Sequence, residues 1–384
     1  MAAETIFLGC GFAAKYRLGG GNFSVPLQWA LGLKKLGRDF IWLEHLPATK
    51  EGPDYDRACL RTFADRMRQH GLEGRWCVLY QNPQADEHDF KTMRFYGKSR
   101  AEIEARLAGP NVLLNLSYSL HPALLERFER RIFCDLDPTE ISYWMSQGLE
   151  MGQSHHHEFW TIGLNMGAAD CQMPTNGLRW QTFFPLVDPA LHVVRPPPRV
   201  PRFTTIGQWY WVNNIVVENG WVDRSKGAKF QPFLELPRQL PGIELELAMN
   251  FAAGDGEPER LRALGWRVVE PHDVARSPWA YRRYLASASG EFTTIKGVDC
   301  LWRSGWMSDR AVAFLATGRP VVTEDAGVSR HLPPDSGFFE IRTPDEASAT
   351  LARVVRDWPA LSRRARATAE EFCDASRTLR RMLG

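Results

Sequence analysis

Residues 289–328 read SGEFTTIKGVDCLWRSGWMSDRAVAFLATGRPVVTEDAGV. Phe292–Thr294 has the character of a short strand end, and Ser304-Gly305-Trp306-Met307-Ser308 is a loop able to turn its amides outward. Ser308 is placed to cap a helix running to about Ala316, which Gly318 closes and Pro320 prevents from continuing. Val321-Val322-Thr323 is the next strand, ending in Glu324-Asp325-Ala326-Gly327. A helix N-terminus fed by a glycine-containing loop favours an anion, because free N–H groups and the helix dipole point the same way. Lys296, Arg303 and Arg310 add positive charge beside it. Glu291, Glu324 and Asp325 are positioned to accept hydrogen bonds from vicinal hydroxyls. Asp309, in the first turn, would repel a phosphate if it pointed inward; it is expected to point away or to meet sugar hydroxyls.

The same forty residues resemble the donor-binding half of GT-B glycosyltransferases, and more narrowly a bacterial group that is family 1/family 4-like. The pattern runs Ser289-Gly290-Glu291-Phe292 with Lys296, then Ser304-Gly305-Trp306 with Ser308 and Arg310, then Gly318-Arg319-Pro320-Val321-Val322 with Asp325 and Gly327. Met307 and Ala326 depart from it, standing where an aromatic and a threonine are expected. A looser likeness spans most of residues 130–384. The resemblance implies an α/β fold of two Rossmann-like domains facing a cleft, and sugar transfer from a nucleotide-activated donor without a metal or other cofactor. It also implies that backbone amides of Trp306–Ser308 bind the donor diphosphate, and that a C-terminal helix around Thr378–Leu383 crosses back to the first domain.

The chain has 384 residues, 44% hydrophobic and 24% charged, with a net charge of +2. That length suits two α/β domains of a globular protein. The charge gives no nucleic-acid footprint. Seven cysteines form no CxxC pair, and Cys10, Cys77 and Cys134 fall in apolar runs, so they read as reduced, buried thiols of a cytoplasmic protein. No signal peptide and no long apolar span is evident. Of the tryptophans, Trp180, Trp209, Trp211, Trp302 and Trp306 sit in loop-like contexts where a ring can stack on a sugar or base.

From the start of the chain, Thr5–Cys10 is a strand, Asn22–Leu36 has helical spacing with Pro26 in its first turn, and Phe40–Leu43 is a second strand. Gly20, Gly21 and Asn22 then form a glycine-rich turn open to a ligand's phosphate or acceptor. It is not a dinucleotide fingerprint. Further strands at Arg75–Tyr80, Asn111–Leu116 and Arg131–Leu136 alternate with helices, so the sheet is mostly parallel. Residues 185–201 carry six prolines (PLVDPALHVVRPPPRVP), a semi-rigid spacer. The expected division is therefore residues 1–190, an acceptor domain, and 191–384, a donor domain. Ala347–Phe372 reads as one helix.

Ser154-His155-His156-His157 suggests a metal, but three consecutive histidines do not converge on one ion. Acid–base work fits better, since direct displacement by a hydroxyl needs a base near the anomeric carbon. His156 and His157 are the candidates, with Asp135 and Asp137 behind them. A sugar-nucleotide 2-epimerase of similar shape and a non-catalytic nucleotide-sugar binder are alternatives. The acceptor, whether small molecule, glycan or protein, and the oligomeric state are not legible.

Overall fold

The computed structural model describes residues 4–81, 90–116, 120–211, 215–217 and 220–384. Two sheets organise them. The first contains β1 (Thr5–Cys10), β2 (Phe40–Pro47), β3 (Trp76–Gln81), β4 (Arg94–Gly97), β5 (Asn111–Asn115), β6 (Arg130–Asp135), β7 (Glu158–Thr161) and β8 (Trp180–Thr182). Their spatial order is β4-β3-β2-β1-β5-β6-β7-β8, parallel except for the edge strand β4. After β9 (Arg202–Gln208) comes a small antiparallel hairpin, β10 (Ile215–Val217) and β11 (Gly220–Val222). The second sheet adds β12 (Glu244–Asn250), β13 (Arg267–Val269), β14 (Gly290–Thr293), β15 (Val321–Glu324) and β16 (Phe338–Ile341), in the all-parallel order β13-β12-β9-β14-β15-β16.

Both orders reverse beside their first strand, between β1 and β5 and between β9 and β14. Ligands of such sheets bind outside the carboxyl ends of the strands at that reversal. The central strands are buried on both faces; TIFLGC of β1 is buried throughout, as a parallel strand covered by helices must be. Phe23, Trp42 and Phe63 form an aromatic knot under the first helix, Gly20–Lys35.

That helix begins two residues earlier than its spacing suggests. Gly20 and Gly21 are its first turn, and Pro26 lies well inside it. The expected single helix over Ala347–Phe372 is two, Pro344–Arg356 and Trp358–Phe372. Pro359 sits at the start of the second, where its missing N–H and its ring prevent continuation of the first.

Two stretches of chain connect the sheets, and they pair with each other. Val187 N donates to the Cys373 carbonyl at 2.8 Å, and Ala375 N to the Val187 carbonyl at 2.9 Å. The final helix, Ala375–Leu383, then packs on Gly20–Lys35. Gly32 makes this possible: a Cβ there would lie 2.6 Å from Leu379 and 2.8 Å from the Ala375 Cβ. Leu379, Met382 and Leu383 are buried in the same apolar cluster as Ile6, Phe23 and Trp42. Among the described residues no helix is long and apolar enough to cross a membrane.

Candidate functional site

Charged side chains converge on the carboxyl edge of the second sheet. Lys226, at the start of a short helix after the β10–β11 hairpin, directs its ammonium back over the reversal point. It donates to Thr293 Oγ1 at 3.0 Å and to the Thr294 carbonyl. Burial, reinforced by the nearby Arg310 guanidinium, pulls this ammonium down to about 7. Arg310 pairs through Nε with Glu291 and donates from Nη1 to the Ile206 carbonyl at 2.9 Å. Glu291 is fully buried, and its second carboxylate oxygen has no hydrogen-bond partner. Glu324, at the end of β15, pairs with Lys229 at 2.8 Å and accepts from Ile295 N at 3.1 Å. Lys226, Lys229 and Arg310 thus form a cationic floor held by Glu291 and Glu324, the arrangement that receives a polyanion.

The first domain closes over this floor. Lys296 Nζ donates to both oxygens of Asp137, at 2.7 and 2.8 Å, and to Glu140. Arg224 pairs with Glu140 as well. Burial lowers the Lys296 ammonium, but Asp137 and Glu140 outweigh it and the net movement is upward. Asp135, at the end of β6, accepts from Thr161 Oγ1 and from Asp137 N, each at 2.9 Å. Burial raises its carboxyl to about 7. Asp135 and Asp137 have D-x-D spacing, yet their carboxylates diverge, one inward to Thr161 and the other across the cleft to Lys296.

The Ser304–Ser308 loop does not hold all its amides outward. Gly305 N donates to the Ala326 carbonyl at 2.8 Å, and Trp306 N to Ser304 Oγ at 3.1 Å. Ser304 Oγ is itself fixed by Asp299 at 2.8 Å. Asn165 of the first domain threads this loop. Its N donates to the Ser304 carbonyl at 3.1 Å; its side-chain amide donates to the Arg303 carbonyl at 2.8 Å and to those of Ala326 and Gly327 at 3.3 Å. A Cβ on Gly305 or on Gly327 would lie 2.8 Å from Asn165 nitrogens, and both glycines have positive φ, +71° and +85°, so no other residue suits either place. Asp325 accepts from Gly327 N at 2.8 Å and pairs with Arg303 and Arg342. Met307 is buried, and Ser308 caps the helix Asp309–Ala316 by accepting from Ala311 N at 3.0 Å. Asp309 lines a small cavity of about 20 Å³ between the domains, and burial pushes its carboxyl up to about 7.

The first-domain candidates fall in different places. A Cβ on Gly20 would overlap the Ser277 and Ala275 carbonyls of the second domain. This glycine therefore admits the partner domain's backbone at the spot where a ligand was expected. Gly21 faces the Tyr281 ring, which lies 3.6 Å from its hypothetical Cβ, and lines the cavity; Asn22 is an exposed first-turn residue. His156 and His157 precede β7, so they enter the sheet at a strand's amino end. The His156 ring packs edge-on to Phe133, with Nδ1 2.6 Å from the Gly152 carbonyl and Nε2 3.1 Å from the Asn115 amide. Burial lowers it to about 4. His157 lies against Arg131, whose guanidinium is 2.7 Å from its Nε2. The partners of both rings, Asn115, Gly152 and Arg131, belong to the first domain.

Asn165, Lys226 and Arg224 escaped the sequence reading. Lys226 had a usable signal, a lysine before a glycine at a helix start in the second domain's first crossover. Asn165 had none. Of the loop-context tryptophans, Trp209 and Trp302 are buried while Trp211 is half exposed.

No protein-family model matches the sequence, and no curated protein does. Solved structures do. The chain is similar to HepE of Anabaena in complex with UDP-glucose, with 11% identity and a TM-score of 0.56 over 100% of this chain and 99% of that one. It is similar to AviGT4, a glycosyltransferase involved in avilamycin A biosynthesis, at 16% identity and TM-score 0.53, covering 100% and 96%. It is also similar to a glycosyltransferase from Rickettsia africae, at 10% identity and TM-score 0.56, covering 100% and 97%. The fold is α/β of the GT-B kind, two Rossmann-like domains facing a cleft.

Proposed function

We propose that this chain transfers a sugar from a nucleotide-activated donor to a hydroxyl-bearing acceptor, and that it is a family 1/family 4-like member of the GT-B enzymes. The observation that carries the reading is the convergence of Lys226, Arg310 and Lys296 on the strand ends where the two domains meet. The GT-B likeness over the full chain supports it, as does HepE, whose structures hold UDP or UDP-glucose. Fold likeness alone does not carry an activity; the cationic floor is what makes a diphosphate the fitting ligand.

In this reading the donor diphosphate lies over Lys226 and Arg310 and competes with Asp137 for Lys296. The cations and the dipole of helix Asp309–Ala316 stabilise the charge that develops on the leaving nucleoside diphosphate. No step calls on a metal. Glu291 and Glu324 orient the cations, and Glu324 with Asp325 borders the sugar. The candidate base for the acceptor hydroxyl is Asp137 of the Asp135–Asp137 turn, which reaches across the cleft to Lys296 and is freed when the donor takes that ammonium, while Asp135 lies buried behind it.

Thermal-shift titration with UDP-, GDP-, TDP- and CDP-sugars tests the donor, since ligand binding raises apparent stability by mass action. A nucleotide-release assay then separates the alternatives. A transferase liberates nucleoside diphosphate only with acceptor, a 2-epimerase does so without one, and a binder liberates none.

A further inference from the structure

The segment that follows β7 places a buried first-domain side chain among second-domain loops. Asn165 is 2% exposed. It lies against the loop that feeds helix Asp309–Ala316 and against the loop that follows β15. The two loops touch each other where Gly305 N donates to the Ala326 carbonyl at 2.8 Å.

The partners of the Asn165 amide determine its orientation. Oδ1 lies 2.7 Å from His331 Nε2, so the imidazole donates and the oxygen accepts. Nδ2 faces three carbonyls, that of Arg303 at 2.8 Å and those of Ala326 and Gly327 at 3.3 Å. Two N–H groups serve three acceptors, the farther two sharing one. A flipped amide would set its oxygen against three others. Glu340 of β16 holds the second loop from the opposite side, accepting from Ala326 N at 2.8 Å, Val328 N at 3.0 Å and Ser329 N at 2.8 Å. That loop is therefore gripped twice: its N–H groups by its own domain, and two of its carbonyls by the other.

The ionic contacts beside it are weaker ties. Asp170 pairs with Arg330 at 2.8 Å and with Arg303 at 3.3 Å, but these side chains are 36 to 52% exposed, where an ion pair contributes little. The bonds of Asn165 are buried, and a buried carbonyl that loses its donor carries the full cost of desolvation. Gly305 and Gly327 bear the imprint of the same side chain, since neither loop could close around Asn165 with a Cβ at those positions.

We propose that Asn165 is a positioning residue of the donor site. It fixes the loop that feeds the helix dipole to the loop that borders the sugar, so the sugar end of the site is assembled only while the first domain is docked on the second. Groups held in this way meet the developing charge already oriented. The words donor and sugar rest on the transfer reading above; the coupling of the two loops does not.

The test is amide hydrogen exchange on the full chain without ligand, at neutral pH, for the unaltered protein, Asn165→Ala and Asn165→Asp. The aspartate keeps the shape but sets a carboxylate against three carbonyls; the alanine removes shape and donor together. Exchange is expected to quicken about tenfold or more in both loops of each variant, and further in Asn165→Asp than in Asn165→Ala. Exchange in β1 and β5 stays as in the unaltered chain, which shows that the variants are folded. A side chain that merely fills space predicts the opposite order. That order, or unchanged exchange in either loop of Asn165→Ala, overturns the proposal. UDP and UDP-glucose are then titrated calorimetrically into each protein. UDP-glucose is expected to lose about fivefold more affinity than UDP, or more; equal losses overturn the assignment to the sugar end. If neither ligand binds the unaltered chain while the exchange pattern is as expected, the transfer reading falls and the loop coupling stands.

Discussion

Lys296 of the second domain and Asp137 of the first meet across the cleft at 2.7 and 2.8 Å. The contact ties together two residues 159 positions apart in the chain. It also engages one of the cations expected to hold the donor, so closing the domains and binding the donor draw on the same ammonium.

The two side chains should therefore be energetically coupled. A double-mutant cycle of Lys296→Ala and Asp137→Ala in urea unfolding is expected to give a coupling of about 0.5–3 kcal/mol, the range for residues in one ionic network. In the presence of UDP the coupling should shrink, because the diphosphate replaces Asp137 as the partner. A coupling near zero in the free protein would show that the pair forms without stabilising the closed arrangement.

Lys226 should make donor binding sensitive to pH. With its ammonium pulled down to about 7, the free protein loses this charge above neutrality, and an anionic ligand must restore it by taking up a proton. UDP affinity is expected to fall as pH rises from about 7, by up to tenfold per unit. Calorimetry in two buffers of different ionisation enthalpy reads the proton directly. Lys226→Met should lose both the uptake and the pH slope, and weaken UDP by roughly 1–3 kcal/mol. An unchanged slope in the variant assigns the titration elsewhere.

Stability should move with pH in the less usual direction. Asp135 and Asp299 are buried with carboxyls raised to about 7, against about 3.9 in an unfolded chain. Between those values the folded state holds protons that the unfolded state does not. The stabilisation from these groups is complete below the unfolded value and is lost as pH rises through the folded one. Asp135→Asn and Asp299→Asn are expected to gain on the unaltered protein between pH 5 and pH 7.5, by about 1 kcal/mol or more each. Urea midpoints at the two pH values check this, and a constant difference would contradict it.

His156→Ala is expected to cost stability more than turnover. It leaves the Gly152 carbonyl and the Asn115 amide without the imidazole and removes an edge-on contact to Phe133, about 1–3 kcal/mol in unfolding free energy. Nucleotide release per folded molecule should change by less than a few fold, whereas Asp137→Asn should alter both release and UDP affinity. A collapse of turnover in folded His156→Ala would return the histidine to the chemistry.

The legible part of the fold was the local part. Ser308 capping, Gly318 at φ +67° and Pro320 before β15 each act within a few residues, so their order in the sequence is their order in space. The same locality made the break at Pro359 available, although the long apolar periodicity around it masked it. Asn165 could not be found this way, because its role is to meet Arg303 and Gly327, 138 and 162 positions on. Gly20 shows a different limit. Glycine before a helix signals that something approaches the backbone, and it reads the same whether the visitor is a phosphate or the Ser277 carbonyl. His156 and His157 precede β7, and a run of histidines before a short strand does not say in sequence which end of that strand faces the cleft.

The packing of Leu379 and Ala375 against Gly32 has a bearing on how the protein is made. The first sheet is complete in sequence by Thr182, but one side of its helical layer is supplied by residues 375–383. During vectorial synthesis the amino-terminal half must wait, with the Gly32 face of its first helix bare, until the entire second domain has emerged. An apolar strip left open for that long is a place where nascent chains associate or chaperones bind, and Leu379→Asp should prolong the exposure indefinitely.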